Sequence, residues 1–238
     1  MIPWLRGDAP FPRIDRALSE PNGLLCAGGD LSPARLLDAY RHGIFPWYSG
    51  DEPILWWSPD PRMVLFTAEL RVSRSLAKSV RNKGYALRVD KAFDAVLDGC
   101  AAPRDDQPGT WLGRPMREAY LRLHRAGFAH SFETWKDGEM VGGLYGVAIG
   151  RMFFGESMFS RATDASKVAL VGLVRHLRLR GFPMIDCQMN TRLLASLGAR
   201  EISRAEFSHR LVQLVNSPAT LAAWSEDDPP RETEGIET

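Results

Sequence analysis

At 238 residues, 45% hydrophobic and 25% charged, the chain has the composition of a globular protein of one large domain or two modest ones. No apolar run of about 18 residues is present to make a transmembrane helix, and the first residues, MIPWLRGDAPFPR, carry no apolar signal segment. The formal net charge is only +1, but the acidic stretch 225–238 holds six acids and one Arg, which leaves +6 on the rest of the chain.

Residues 1–66 are rich in Pro, Gly and Trp and read as a small N-terminal domain. Within it, LSPARLLDAYRHG is a helix with Asp30 or Ser32 as its cap, Pro33 in its first turn and Gly43 at its end. ILWW and MVLF are short strands joined by an SPDP turn. Residues 67–224 read as a second, larger domain. It starts with a helix over 73–84, a strand YALRVD and helices at KAFDAVLDGCA and RPMREAYLRLHRAG. Two β-runs follow, HSFETWKDG and EMVGGLYGVAIGRMFFGESMF, with Lys-Asp-Gly and Ile-Gly-Arg turns that predict two hairpins. DASKVALVGLVRHLRLRG is a long helix with Asp164 as its N-cap; a strand FPMIDCQ, a short helix ended by Gly198 and a strand AREISR close the order. Strands interleaved with helices in this way predict a mixed sheet with helices packed on it, an α+β fold that resembles the N-acyltransferase (acetyltransferase-like) architecture. The acidic, proline-bearing 225–238 tail is expected to be disordered.

Several chemistries find little support. GGLYG (142–146) lies inside a β-run and opens no helix, so it is not a dinucleotide loop. SRATDASK, ahead of the long helix, has no glycine to cradle a pyrophosphate, which argues against acetyl-CoA as donor. No G-x-S-x-G elbow is present, and the five histidines lack metal-ligand spacing. Cys26, Cys100 and Cys187 are widely spaced and odd in number, as free thiols in a reducing compartment would be.

What remains is Asp186 and Gln188 at a strand end, two residues apart and so expected on one face, with Glu156 at the end of another β-run beside Gly155. Two carboxylates and an amide suit the attack of an amine on an acyl group. The alternative is that Asp186 and Gln188 cap neighbouring backbone and Glu156 pairs with an Arg. Leu144, Phe153, Leu170, Leu173, Leu177 and Ile185 fit either an apolar pocket or plain core. Between residues 70 and 91 seven Lys and Arg face one acid, Asp90, and Arg74, Lys78 and Arg81 make one helical stripe, with Lys83 just beyond. A stripe without interleaved acids points to phosphate binding. Arg175, Arg178 and Arg180 instead complement the C-terminal dipole of their helix.

The segments PNGLLCAGGDLSPARLLDAYRHGIFPW, PILWWSPDPR, GTW (109–111), AHSFETW, MVGGLYGVAIG, GESMFSR, ASKVAL and IDCQ resemble the leucyl/phenylalanyl-tRNA–protein transferase family from about residue 11 to residue 211. The resemblance implies a small N-terminal domain before an acetyltransferase-like one. It implies transfer of Leu or Phe, and less well Met, from aminoacyl-tRNA to proteins beginning with Arg or Lys, creating a degradation signal. It also implies a cytoplasmic enzyme, expected to be a monomer, that needs no cofactor and no metal. By position it makes Asp186 and Gln188 the pair that handles the α-amine, Glu156 the acid facing the acceptor, and the six apolar residues the aminoacyl pocket. Trp47 and Trp111 become candidates for stacking on the 3′-terminal adenosine, with domain packing as the alternative. One departure stands out: where the family often carries an acid and a His after the Gln, this chain has Arg192 and Leu193. A CoA-dependent N-acetyltransferase of the same fold is the main rival reading.

Overall fold

The computed structural model describes residues 2–50, 52–103, 112–218 and 224; Trp111 and the 225–238 tail lie outside them. In chain order the elements are β1 (Trp4–Leu5), β2 (Leu24–Gly28), α1 (Pro33–Arg41), β3 (Phe45–Pro46), β4 (Leu55–Trp57), β5 (Arg62–Phe66), α2 (Arg74–Asn82) and β6 (Ala86–Val89). They continue with α3 (Phe93–Ala101), α4 (Arg114–Arg125), β7 (Ala129–Lys136), β8 (Glu139–Ile149), β9 (Met152–Ser160), α5 (Ala165–Leu179), β10 (Met184–Gln188), α6 (Arg192–Ser196), β11 (Arg200–Ile202) and α7 (Arg204–Val215).

A four-stranded sheet, β1-β2-β4-β3, holds the N-terminal strands, and a seven-stranded sheet, β11-β5-β10-β9-β8-β7-β6, forms the body. The fold is the mixed α+β class expected. β5 lies inside the larger sheet, antiparallel to both β10 and β11, although it falls within residues 1–66. One face of the large sheet shares a core with the small sheet, α1, α3, α4 and α7, through Trp56, Tyr40, Tyr120, Phe154 and Phe207. The other face packs on α5 and α2 through Phe132, Phe153, Leu173 and Leu177. Among the described residues no helix is long and apolar enough to cross a membrane.

Local chemistry accounts for the elements. Ser32 caps α1 by accepting the Arg35 N–H, and Pro33 occupies the first turn, where its missing donor costs nothing. α5 starts at Asp164 as expected, but the Asp164 side chain does not cap it. Its carboxylate accepts instead from Ser79 (2.8 Å) and Lys167 (2.9 Å), tying α2 to α5. The glycines of GGLYG serve packing: a Cβ on Gly142 would stand 2.6 Å from the Ala165 Cβ, so the start of α5 sits directly on β8. α7 and the short β1–β3 were not evident in the hydrophobic pattern.

Candidate active site

β9 and β10 are the parallel pair of the large sheet, joined by the α5 crossover. Their ladder runs from Met184↔Met152 to Asp186↔Phe154 and ends there. Beyond it each strand is irregular: the β8–β9 register shifts between Tyr145 and Gly146, and the β10–β5 register shifts between Asp186 and Gln188. Bulges bend the strands that carry them, and here they stand where the two strands part. The opening is a cavity of about 450 Å³.

Glu156 is among the residues that line it. Its Oε1 accepts from Tyr40 Oη (2.7 Å) and Gln188 Nε2 (3.1 Å), and its Oε2 accepts from Tyr120 Oη (2.5 Å). The two phenols also touch each other at 2.9 Å. Burial raises the Glu156 carboxyl to about 7, the hydrogen bonds from Tyr120 and Tyr40 oppose the rise, and the nearby Asp186 charge adds to it. Burial pushes both phenols well above 10, so at neutral pH each hydroxyl serves as a donor.

Asp186 is fully buried and bound by Arg62, whose Nε and Nη2 donate to Oδ1 (2.8 Å) and Oδ2 (2.6 Å). Oδ1 also accepts the Gln188 backbone N–H at 2.9 Å. Arg62 lies between the rings of Phe45 (4.8 Å) and Phe207 (4.7 Å) and donates to the Gly43 carbonyl. The simple two-residue alternation expected for Asp186 and Gln188 does not hold. Gln188 has a positive φ of 61° at the bulge, and only Gln188 of the two lines the cavity. Arg62, Tyr40 and Tyr120 were not found from sequence. The available signal was two tyrosines at core positions of helices, since a buried phenol must find a polar partner.

Leu144, Phe153, Leu170, Leu173 and Ile185 line the cavity. Leu177 does not line it; it is fully buried in the core one turn further along α5. Met158, Cys187 and Leu194 join the lining, and so does Leu193, one of the two departures from the family pattern. The other, Arg192, is exposed at the start of α6. Burial pushes the Cys187 thiol up, away from thiolate chemistry.

A smaller cleft of about 90 Å³ adjoins, lined by Phe45, Pro46, Trp47, Glu156, Gln188 and Met189. Trp47 is 47% exposed there and meets Trp57 edge-on at 5.5 Å. Arg74, Lys78 and Arg81 are exposed on α2, whose opposite face buries Leu76 and Ala77. Lys83 is half-buried and its Nζ donates to the Thr163 carbonyl at 3.3 Å.

The sequence model described as leucyl/phenylalanyl-tRNA protein transferase matches residues 64–212, and that of its N-terminal domain matches residues 29–60. The leucyl/phenylalanyl-tRNA–protein transferase of Nitrosospira multiformis is 62% identical over 95% of this chain and 98% of its own length. That of Thiobacillus denitrificans is 64% identical over 91% and 95%. Among solved structures, a GCN5-related N-acetyltransferase from Kribbella flavida is similar at a TM-score of 0.38 and 13% identity, covering 72% of this chain and 61% of its own. With a family match across both sheets and relatives at this identity over nearly their full length, the chain belongs to the leucyl/phenylalanyl-tRNA–protein transferase family.

Proposed function

We propose that the cleft between β9 and β10 joins leucine or phenylalanine, and less readily methionine, from the 3′ end of a charged tRNA to the α-amine of proteins beginning with Arg or Lys. The new N-terminal residue then marks the protein for degradation. One observation carries this reading: the apolar cavity and the Trp47 cleft share Glu156, Gln188 and Met189. An aminoacyl side chain in the cavity and an adenine beside Trp47 would place the ester between them, against Gln188. A leucine side chain fully buried there is worth roughly 1.5–3 kcal/mol, enough to favour it over small residues.

In the reaction the α-amine nitrogen attacks the ester carbonyl carbon. The C–N bond forms, the ester C–O bond breaks, and the proton lost by nitrogen ends on the departing ribose oxygen. Ionised Glu156 only accepts, so it turns the Gln188 amide with Nε2 inward and leaves Oε1 to receive a hydrogen bond from the amine. An amide is too weak a base to hold the proton, so Gln188 orients the nucleophile. That suffices because an N-terminal amine, with a pKa of about 7.7–8.0, is already partly neutral at pH 7. Asp186 acts through the Gln188 N–H and is a positioning residue. The Glu156 charge attracts the cationic side chain of the acceptor. The exposed Arg74, Lys78 and Arg81 hold tRNA phosphates.

The test uses purified protein, labelled Leu-tRNA or Phe-tRNA and a peptide beginning with Arg. Transfer of label to the peptide is expected. No transfer, under conditions where the Nitrosospira multiformis relative works, would overturn the reading. The same assay with labelled acetyl-CoA and no tRNA is expected to give no product; acetylation there would instead establish the CoA-dependent rival.

A further inference from the structure

Trp224 fills a box of rings on the α5 side of the large sheet. Its indole stacks on the His130 ring at 4.0 Å and 10°, and lies 4.6 Å from His176. Phe153, Phe132 and Phe182 complete the box at 5.9, 6.1 and 6.2 Å. His130 and Phe132 come from β7, Phe153 from β9, His176 from α5 and Phe182 from the turn after it. The box is firm: His130 Nδ1 is bound to Asp90 at 2.7 Å, and its Nε2 lies 3.2 Å from the Gly127 carbonyl. A residue beyond α7 thus packs against the core beneath β9.

Phe153 connects this box to the site. Its side chain is fully buried, lines the apolar cavity and also stacks on Trp224 at an interplanar angle of 27°. It has little room on the sheet itself. A Cβ on Gly146 would stand 2.5 Å from the Phe153 ring, so the ring already occupies the space that a side chain on β8 would take. The indole is therefore the neighbour whose removal frees the ring.

We propose that Trp224 sets the depth of the aminoacyl cavity, and with it the preference between Leu and Phe, by fixing the Phe153 ring that walls the cavity. Trp224 touches no substrate and is a positioning residue. The proposal rests on the reading of the cavity as the aminoacyl pocket. Removing the indole leaves a void, because cores collapse only partly around a deletion, and the Phe153 ring that stacked on it gains room to shift toward that void. The cavity then deepens at its Phe153 end, and the longer, aromatic side chain gains more than leucine does.

The experiment measures kcat/KM for Leu-tRNA and Phe-tRNA with one Arg-starting peptide, in wild type, Trp224→Ala and Trp224→Phe. The Phe-to-Leu ratio is expected to rise about tenfold in Trp224→Ala, the low end of what one methylene commands in an apolar pocket, and less, about threefold, in Trp224→Phe, which keeps most of the ring. KM for the peptide is expected to stay put. A merely structural Trp224 lowers melting temperature and leaves the ratio alone. A folded Trp224→Ala with the wild-type ratio overturns the proposal. Should Trp224→Ala not fold, an unchanged ratio in Trp224→Phe overturns it equally. A wild type that uses neither tRNA sinks the aminoacyl-pocket reading itself. A wild type that uses both, with a ratio blind to residue 224, sinks this inference alone.

Discussion

Arg62 and Asp186 form a buried ion pair, each side chain about 1% exposed, held by two parallel hydrogen bonds of 2.8 and 2.6 Å. The pair links β5 to β10, and the rings of Phe45 and Phe207 on either side of the guanidinium extend the link to the small sheet and to α7. Because Asp186 Oδ1 also receives the Gln188 N–H, the pair fixes the left-handed backbone that turns Gln188 toward Glu156. A strand-end carboxylate that looks like a proton acceptor in the sequence is, in the fold, the anchor of the residue beside it.

Breaking this pair from one side is expected to be costly. Arg62→Met leaves a carboxylate buried without its partner and is expected to lose about 3–5 kcal/mol of stability, read as a shift in the denaturant midpoint. Arg62→Met combined with Asp186→Leu is expected to recover much of that loss while leaving the enzyme slow. Asp186→Asn keeps the shape and is expected to lower kcat with little change in the tRNA KM. Wild-type kcat in folded Asp186→Asn would mean that the Gln188 backbone needs no charge beneath it.

Glu156 should reveal itself in stability as well as in activity. Its folded pKa of about 7 lies above the unfolded value of 4.5, so between those pH values the native state binds more protons than the unfolded one. Stability is therefore expected to fall as pH rises from 4.5 through 7, and to level off above. Glu156→Gln removes this dependence. The variant should gain on the wild type across that window, by an amount on the order of 3 kcal/mol above pH 7, and should show no gain below pH 4. Thermal melts of both proteins from pH 4 to pH 8 decide it; parallel curves would mean the carboxyl titrates as an ordinary exposed one.

Periodicity made most of the large sheet and its helices legible, because β7–β9, α4 and α5 are long and have Gly or Asp-Gly turns at their ends. The signal for α7 is local and lies in its cap. Ser203 and Glu206 have the Ser-x-x-Glu spacing of a capping box, and Ser203 Oγ accepts the Glu206 N–H at 3.1 Å. Glu156 and Gln188 were legible as polar groups at strand ends. Their partners were not: Tyr40 lies 116 residues from Glu156, and Arg62 lies 124 residues from Asp186. Nothing local in a sequence reports a hydrogen bond across such a distance. The bulge that separates the surroundings of Asp186 from those of Gln188 is likewise a property of pairing with β5, not of the stretch MIDCQ alone.

The tyrosine pair gives a test of how Glu156 is tuned. Each phenol donates to the carboxylate and so holds its pKa down against burial. Tyr120→Phe deletes the 2.5 Å donor, and the carboxyl is then expected to titrate higher. A hydrogen bond to a charged group is worth about 1.5–3 kcal/mol, so the acid limb of kcat/KM with an Arg-starting peptide should move up by roughly one to two pH units. Tyr40→Phe should move it in the same direction. A limb that stays in place in both variants would show that the ionised form of Glu156 is not what the acceptor meets.

The basic face of α2 makes its own prediction, with an internal control. Arg74, Lys78 and Arg81 are exposed because α2 must bury Leu76 and Ala77 against the body, and Ser79 is bonded to Asp164 on that buried side. Among the described residues none of the three stands in an ion pair, and all three face solvent, so they are available to phosphates. Changing all three to Ala is expected to weaken tRNA binding and to reduce the slope of log affinity against log salt by roughly two to three, close to one counterion per cation removed. Lys83 differs, since its ammonium donates to the Thr163 carbonyl, which Tyr85 Oη also bonds at 2.9 Å. Lys83→Ala should therefore alter the salt slope less than any one residue of the stripe. A triple variant with the wild-type slope would take α2 out of the tRNA path, and the phosphates would then have to be sought on another face.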